Sequence, residues 1–158
     1  HVGMGTGAVL LLYEYLAGQD MAALRQAGRH RDFDMTAWEK RLDAGFGSLS
    51  DEIKKGRRDY ETDDPAKRDA IMDEMVSRWD RVQDEVLNTA MDFDTYRQVM
   101  ESAGAEWHPR QMGLNKEEFI QMIVLAKEIR TRYGILQTLE DAGILEEAAA
   151  WAAQRYYG

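Results

Sequence analysis

No stretch of this chain alternates apolar and polar residues as a half-buried strand must, whereas apolar residues recur at three- and four-residue steps between residues suited to start or stop helices. That pattern predicts an all-α chain. Asp64 followed by Pro65 is the clearest start signal, an oxygen cap before a proline whose missing N–H costs nothing at the first helical position. The helix it opens is expected to run toward Thr89 and to be the longest or second longest, packing Met72, Met75, Val76, Trp79, Val82 and Val86 on one face.

Other caps divide the rest. A first helix is expected from Gly3 to Ala17, buried around Val9 to Tyr13 and stopped by Gly18 in a left-handed conformation. Asp20 opens a short helix through Ala27 that Gly28 ends, and Asp34 opens another carrying Trp38 and Leu42 toward Gly45, with a turn at Gly45-Phe46-Gly47. Asp94 is expected to cap a helix through Ala103, ended by Gly104. Asn115 and Glu118 have capping-box spacing before a helix from Phe119 to Tyr133, and Gly134 and Gly143 divide the tail into two further helices.

The 158 residues are one ordinary domain's length, and 44% hydrophobic and 31% charged residues with only 2 Pro fit a globular chain, read as a single helical domain over residues 1–158. Lys+Arg 20 against Asp+Glu 29 leaves a formal charge of −9, which gives no general drive toward nucleic acid. The longest apolar run, Ala8 to Tyr13, is far short of the ~20 residues of a membrane helix. With no cysteine, thiol nucleophiles, thiolate zinc sites and disulfides are excluded, and a cytoplasmic location is expected. The chain opens at His1 without an initiator Met, and this start reads as a cut end.

Gly3-Met4-Gly5-Thr6-Gly7 invites a phosphate-loop reading, but no strand precedes it and no P-loop Lys follows; small residues permitting close helix packing are the better account. His1, His30 and His108 share no metal-ligand spacing. Asp92, Asp94, Glu117 and Glu118 read as charges at helix starts. The basic run Lys54-Lys55-Gly56-Arg57-Arg58, flanked by acids, reads as a solvated local patch. Arg130 is more informative. Continued at helical steps from Phe119, it falls on the arc of Met122, Ile123, Ala126 and Tyr133, where a guanidinium needs an anion: an internal carboxylate or a substrate phosphate. Arg132 falls toward the polar side.

Two segments then suggest a family. The opening Val2-Gly3-Met4-Gly5-Thr6, running into Leu-Leu-Tyr-Glu, resembles the V-G-x-G-T helix of sn-glycerol-1-phosphate dehydrogenases, within the iron-containing alcohol dehydrogenase and dehydroquinate synthase superfamily. Ala103-Gly104-Ala105, His108-Pro109, Met112-Gly113-Leu114 and Ile129-Arg130-Thr131-Arg132-Tyr133 resemble, in order, that family's A-G-A-P, I-G-L and I-R-x-R-Y-T succession, with Gly134 where Thr is usual. The resemblance implies the helical C-terminal half of a two-domain enzyme, whose N-terminal nucleotide-binding domain would precede His1, with NAD(P) and a metal, usually zinc, in the cleft between.

The family's metal is held by an Asp and two His, the last of them three residues before the position of His1, so no ligand role falls on His1. The activity implied is reduction of dihydroxyacetone phosphate, with Arg130 as the substrate-binding candidate and no catalytic, cofactor or metal residue in this chain. The expected partners are the missing nucleotide-binding domain and a small phosphorylated substrate, without nucleic acid or membrane. The Val2 to Thr6 face is expected against that domain, or covered by self-association into a homo-oligomer. A noncatalytic helical interaction module and a glycerol dehydrogenase-like or synthase-like enzyme are the alternatives, and the coding sequence upstream of His1 separates the first of them.

Overall fold

A computed structural model describes residues 2–58, 61–129 and 132–158. They form helices α1 (Val2–Ala17), α2 (Met21–Ala27), α3 (Met35–Phe46), α4 (Ser50–Arg57), α5 (Pro65–Glu85), α6 (Phe93–Ser102), α7 (Lys116–Ala126), α8 (Ile135–Asp141) and α9 (Leu145–Tyr157), joined by short 3-10 turns. No strand occurs among the described residues, so the chain is all-α. No helix among them is long and apolar enough to cross a membrane.

Side-chain oxygens set most of the starts. Asp20 accepts from the Ala23 amide and Asp34 from those of Thr36 and Ala37, each from an extended backbone that leaves the carboxylate facing the first helical turn. Asn115 and Glu118 exchange side-chain to backbone bonds at 2.8 and 2.9 Å, the expected box. At 21 residues α5 is the longest described helix, but it stops at Glu85, and a 3-10 turn covers Leu87–Thr89. Val86, expected on its packed face, is therefore beyond the helix and exposed. Of that face Met72 is fully buried, and the other deeply buried residue of α5 is Arg68.

Three further starts or stops differ from expectation. Asp92, not Asp94, caps α6, accepting from the Thr95 amide; Asp94 then falls in the first turn, where the helix dipole favours its charge. Gly18 ends α1 without a left-handed backbone, because a tighter bond from the Gln19 amide to the Leu16 carbonyl closes the last turn. The α3 helix continues through Phe46, so only Gly47, at φ 52°, makes the expected corner.

The chain gathers into two compact units. Residues 1–19, 78–124 and 146–158 make the first. There Leu11, Leu12 and Leu16 of α1 are buried, and α9 presents Ala148, Ala149, Ala152 and Ala153 inward, all without exposed surface. The opening glycines lie inside α1, and two of them, Gly3 and Gly7, serve close packing. A Cβ on Gly3 would stand 2.5 Å from the Glu106 carbonyl oxygen, and one on Gly7 would run into the Tyr156 hydroxyl. Tyr96 seals the same contact, its hydroxyl donating to the Gly3 carbonyl at 2.5 Å. Of the face expected to meet another body, Met4 is already buried and Val2 is exposed. Residues 20–77 and 125–145 make the second unit, in which Trp38, Leu42, Met72 and Leu139 are buried.

Candidate functional site

The second unit holds a buried ionic cluster assembled from segments far apart in the sequence. It centres on the end of α7. The α7 helix was expected to continue to Tyr133, but it ends at Ala126 and tightens into a 3-10 turn over Lys127–Ile129. Fewer residues per turn rotate the following side chains off the expected arc. Lys127 and Glu128 become buried, while Ile129 is 67% and Tyr133 63% exposed. The apolar arc on which Arg130 was placed is thus broken at Lys127. Arg130 itself, like His1, lies outside the described residues, and Arg132 is exposed.

Lys127 Nζ donates to Glu61 Oε1 at 2.6 Å and stands 3.0 Å from Glu128 Oε1 and 3.9 Å from Glu140 Oε1. Arg57, the last residue of α4, donates to the same Glu61 oxygen at 2.9 Å and to Gln137 Oε1, with its Nε 3.3 Å from Glu128 Oε2. From α3, Trp38 Nε1 donates to Glu128 Oε1 at 3.1 Å and Arg41 to Glu140 Oε1 at 2.9 Å. The basic run was expected in solvent; instead Arg57 is only 3% exposed, while its neighbour Arg58 is exposed. The charge run offered no signal for this, because the helical phase, not the composition, decides which of two adjacent arginines turns inward.

A second part of the cluster surrounds Arg68. It donates to the carbonyls of His30, Glu140 (3.0 Å) and Asp141 (3.3 Å), and lies over the Phe33 ring at 4.8 Å. Asp141 accepts from Gln137 at 2.9 Å and from the Tyr133 hydroxyl at 3.1 Å. Burial pushes the Asp141 carboxyl up from its ordinary range. Arg41, Arg57, Arg68 and Lys127 thus stand among Glu61, Glu128, Glu140 and Asp141. Among the described residues four cations thus stand against four carboxylates, an arrangement suited to holding backbone segments in register.

His30 belongs to a third group. Fully buried, it brings Nε2 to 2.7 Å from Asp69 Oδ1, while Arg31 forks both Asp69 oxygens at 2.7 and 2.6 Å. Arg31 and His30 together hold Asp69 well below the usual carboxylate range. In the first unit, His108 Nδ1 accepts from the Arg110 amide and its Nε2 lies 2.8 Å from the Tyr156 carbonyl oxygen. Both described histidines thus have partners within the chain, and among the described residues no group of three or more His, Asp or Glu is placed to hold a metal. The first unit also has an open depression of about 640 Å³ lined by Arg110, Leu114, Asn115, Lys116 and Tyr157. Arg110 lies over the Tyr157 ring and Lys116 donates to Gln154.

Neither a protein-family model, a curated protein nor a solved structure matches this chain.

Proposed function

We propose that the chain is the helical, substrate-side domain of an NAD(P)- and metal-dependent sn-glycerol-1-phosphate dehydrogenase that reduces dihydroxyacetone phosphate. The observation that carries this reading is the order of motifs: Val2-Gly3-Met4-Gly5-Thr6, then Ala103-Gly104-Ala105, His108-Pro109, Met112-Gly113-Leu114 and Ile129-Arg130-Thr131-Arg132-Tyr133. The all-α fold of the described residues is what such a domain requires. In this reading zinc and the dinucleotide are held by the nucleotide-binding domain and the segment before His1, and this chain's part is recognition of the phosphorylated substrate through Arg130.

The test joins the chain to its upstream coding sequence and assays NAD(P)H-linked reduction of dihydroxyacetone phosphate. Turnover is expected, and Arg130→Lys, which keeps the charge but loses the bidentate fork, is expected to raise KM while the melting midpoint stays near wild type. The 158-residue chain alone is expected to show no tight binding of NADH in calorimetry. A full protein that ignores dihydroxyacetone phosphate sends the assignment back to the level of the superfamily. Loss of folding, not of affinity, in Arg130→Lys would make that arginine a structural ion pair.

A further inference from the structure

The depression in the first unit forms where the chain reverses between the Pro109–Met112 turn and α7. Gly113 takes a left-handed φ of 77°, and its amide and that of Leu114 bond back to carbonyls of that turn. The reversal brings Arg110 and Lys116 to one hollow of about 640 Å³, within the range of small-ligand sites. Tyr157 of α9 lines it too, its hydroxyl donating to the Leu114 carbonyl at 2.7 Å.

Both cations are oriented without being neutralised. The Arg110 guanidinium lies over the Tyr157 ring at 5.1 Å, a contact that occupies its face and leaves N–H groups at its edge to donate. Lys116 Nζ donates to Gln154 Oε1, a neutral acceptor, and has two further protons to give. Among the described residues neither cation has a carboxylate within ion-pair reach, and Glu118 is turned back onto the Asn115 amide. Elsewhere in the same unit Arg97 and Arg155 each stand near carboxylates of the chain. A hollow with two cations left open in a chain of formal charge −9 suits a ligand that brings its own negative charge.

We infer that this depression binds a small organic phosphate, its phosphate held by Arg110 and Lys116 and its organic part against Leu114 and Tyr157. A guanidinium fork uses both oxygens of a carboxylate, whereas a phosphate monoester keeps a third oxygen and a second charge for the ammonium. The inference does not rest on the dehydrogenase reading.

The test is an amide NMR titration of the 158-residue chain with phenyl phosphate, set against sodium chloride at matched ionic strength, phenol and inorganic phosphate. Phenyl phosphate is expected to give saturable shifts centred on residues 110–116 and on Tyr157. Arg110→Gln and Lys116→Gln are each expected to weaken binding about tenfold, the worth of one charged hydrogen bond, and Arg110→Lys to weaken it too because the fork is lost. Melting midpoints of the three variants should stay near wild type, since neither side chain is buried. No saturable binding, shifts that sodium chloride reproduces, or binding that both glutamine variants leave at wild-type strength each overturn the inference. Phenol binding as tightly as phenyl phosphate overturns the role of the cations, and inorganic phosphate doing so overturns the contact with Leu114 and Tyr157.

Discussion

Lys127 Nζ and Glu61 Oε1 stand 2.6 Å apart with side chains 1% and 0% exposed, although 66 positions separate them in the sequence. Removing the cation alone should be costly. Lys127→Met is expected to destabilise the chain by about 3–5 kcal/mol, the usual result of stranding a buried charge, and adding Glu61→Gln should recover most of that. Urea midpoints of the single and double variants check it; a double variant as unstable as the single would show that the pair is not the unit that matters.

Adjacent arginines should differ sharply. Arg57→Ala is expected to cost about 3–5 kcal/mol, because Glu61 and Glu128 lose a buried partner. Arg58, 64% exposed and 3.4 Å from Glu39, should cost under about 1 kcal/mol when replaced by Ala. Thermal melts of the two variants side by side are enough, and equal shifts would contradict the burial of Arg57.

The glycines of α1 make a similar contrast. Gly7→Ala forces a methyl group against the Tyr156 hydroxyl and the Tyr96 and Phe93 rings, and is expected to cost about 1–3 kcal/mol. A Cβ on Gly5 meets nothing within 4 Å, so Gly5→Ala should stabilise by about 0.5–1 kcal/mol through lower backbone entropy in the unfolded chain. Opposite signs in denaturant titration are the expected outcome.

Asp69 predicts an acid limb. Its folded pKa lies below the unfolded value, so the folded state binds the proton more weakly than the unfolded chain does. The stability it supplies is complete above its unfolded pKa of about 3.9 and is lost as pH falls toward the folded value. Melting midpoints of wild type should therefore drop on acidification below about pH 4 more steeply than those of Asp69→Asn, which already lacks the contribution at neutral pH. Parallel curves would show that the His30 and Arg31 contacts do not hold the ionised carboxylate.

Much of the helical layout is legible in the sequence because it depends on local chemistry. Asp20, Asp34, Asn115 and Glu118 cap their own next turn, and Gly28 takes the left-handed φ of 76° that a helix end favours. Even so, Asp92 and Asp94 are equivalent as local signals, and only the fold of the chain decides which of them caps α6. The ionic cluster is not legible at all. Nothing near Lys127 in the sequence announces Glu61 or Glu140, and helical phase extrapolated across Ala126 assigns Tyr133 to the apolar arc, whereas it is exposed. Tertiary pairing of charges overrode the periodicity there, and it did so beside the motif that carries the functional reading.

The contact between Gly7 and Tyr156 also sets an order of events during synthesis. Glu14 of α1 is reached by Arg155 across 141 positions, and Tyr156 closes over Gly7 from the same last helix. A ribosome making this chain releases α1 long before the residues of α9 that reach Glu14 and Gly7. The contacts of α1 with Arg155 and Tyr156 therefore cannot form until α9 has emerged. Residues 20–77 of the second unit are made before then. An arrested chain with α9 still inside the exit tunnel is expected to leave Gly7 and Glu14 open, and one carrying a linker long enough to bring Tyr157 out of the tunnel to cover them.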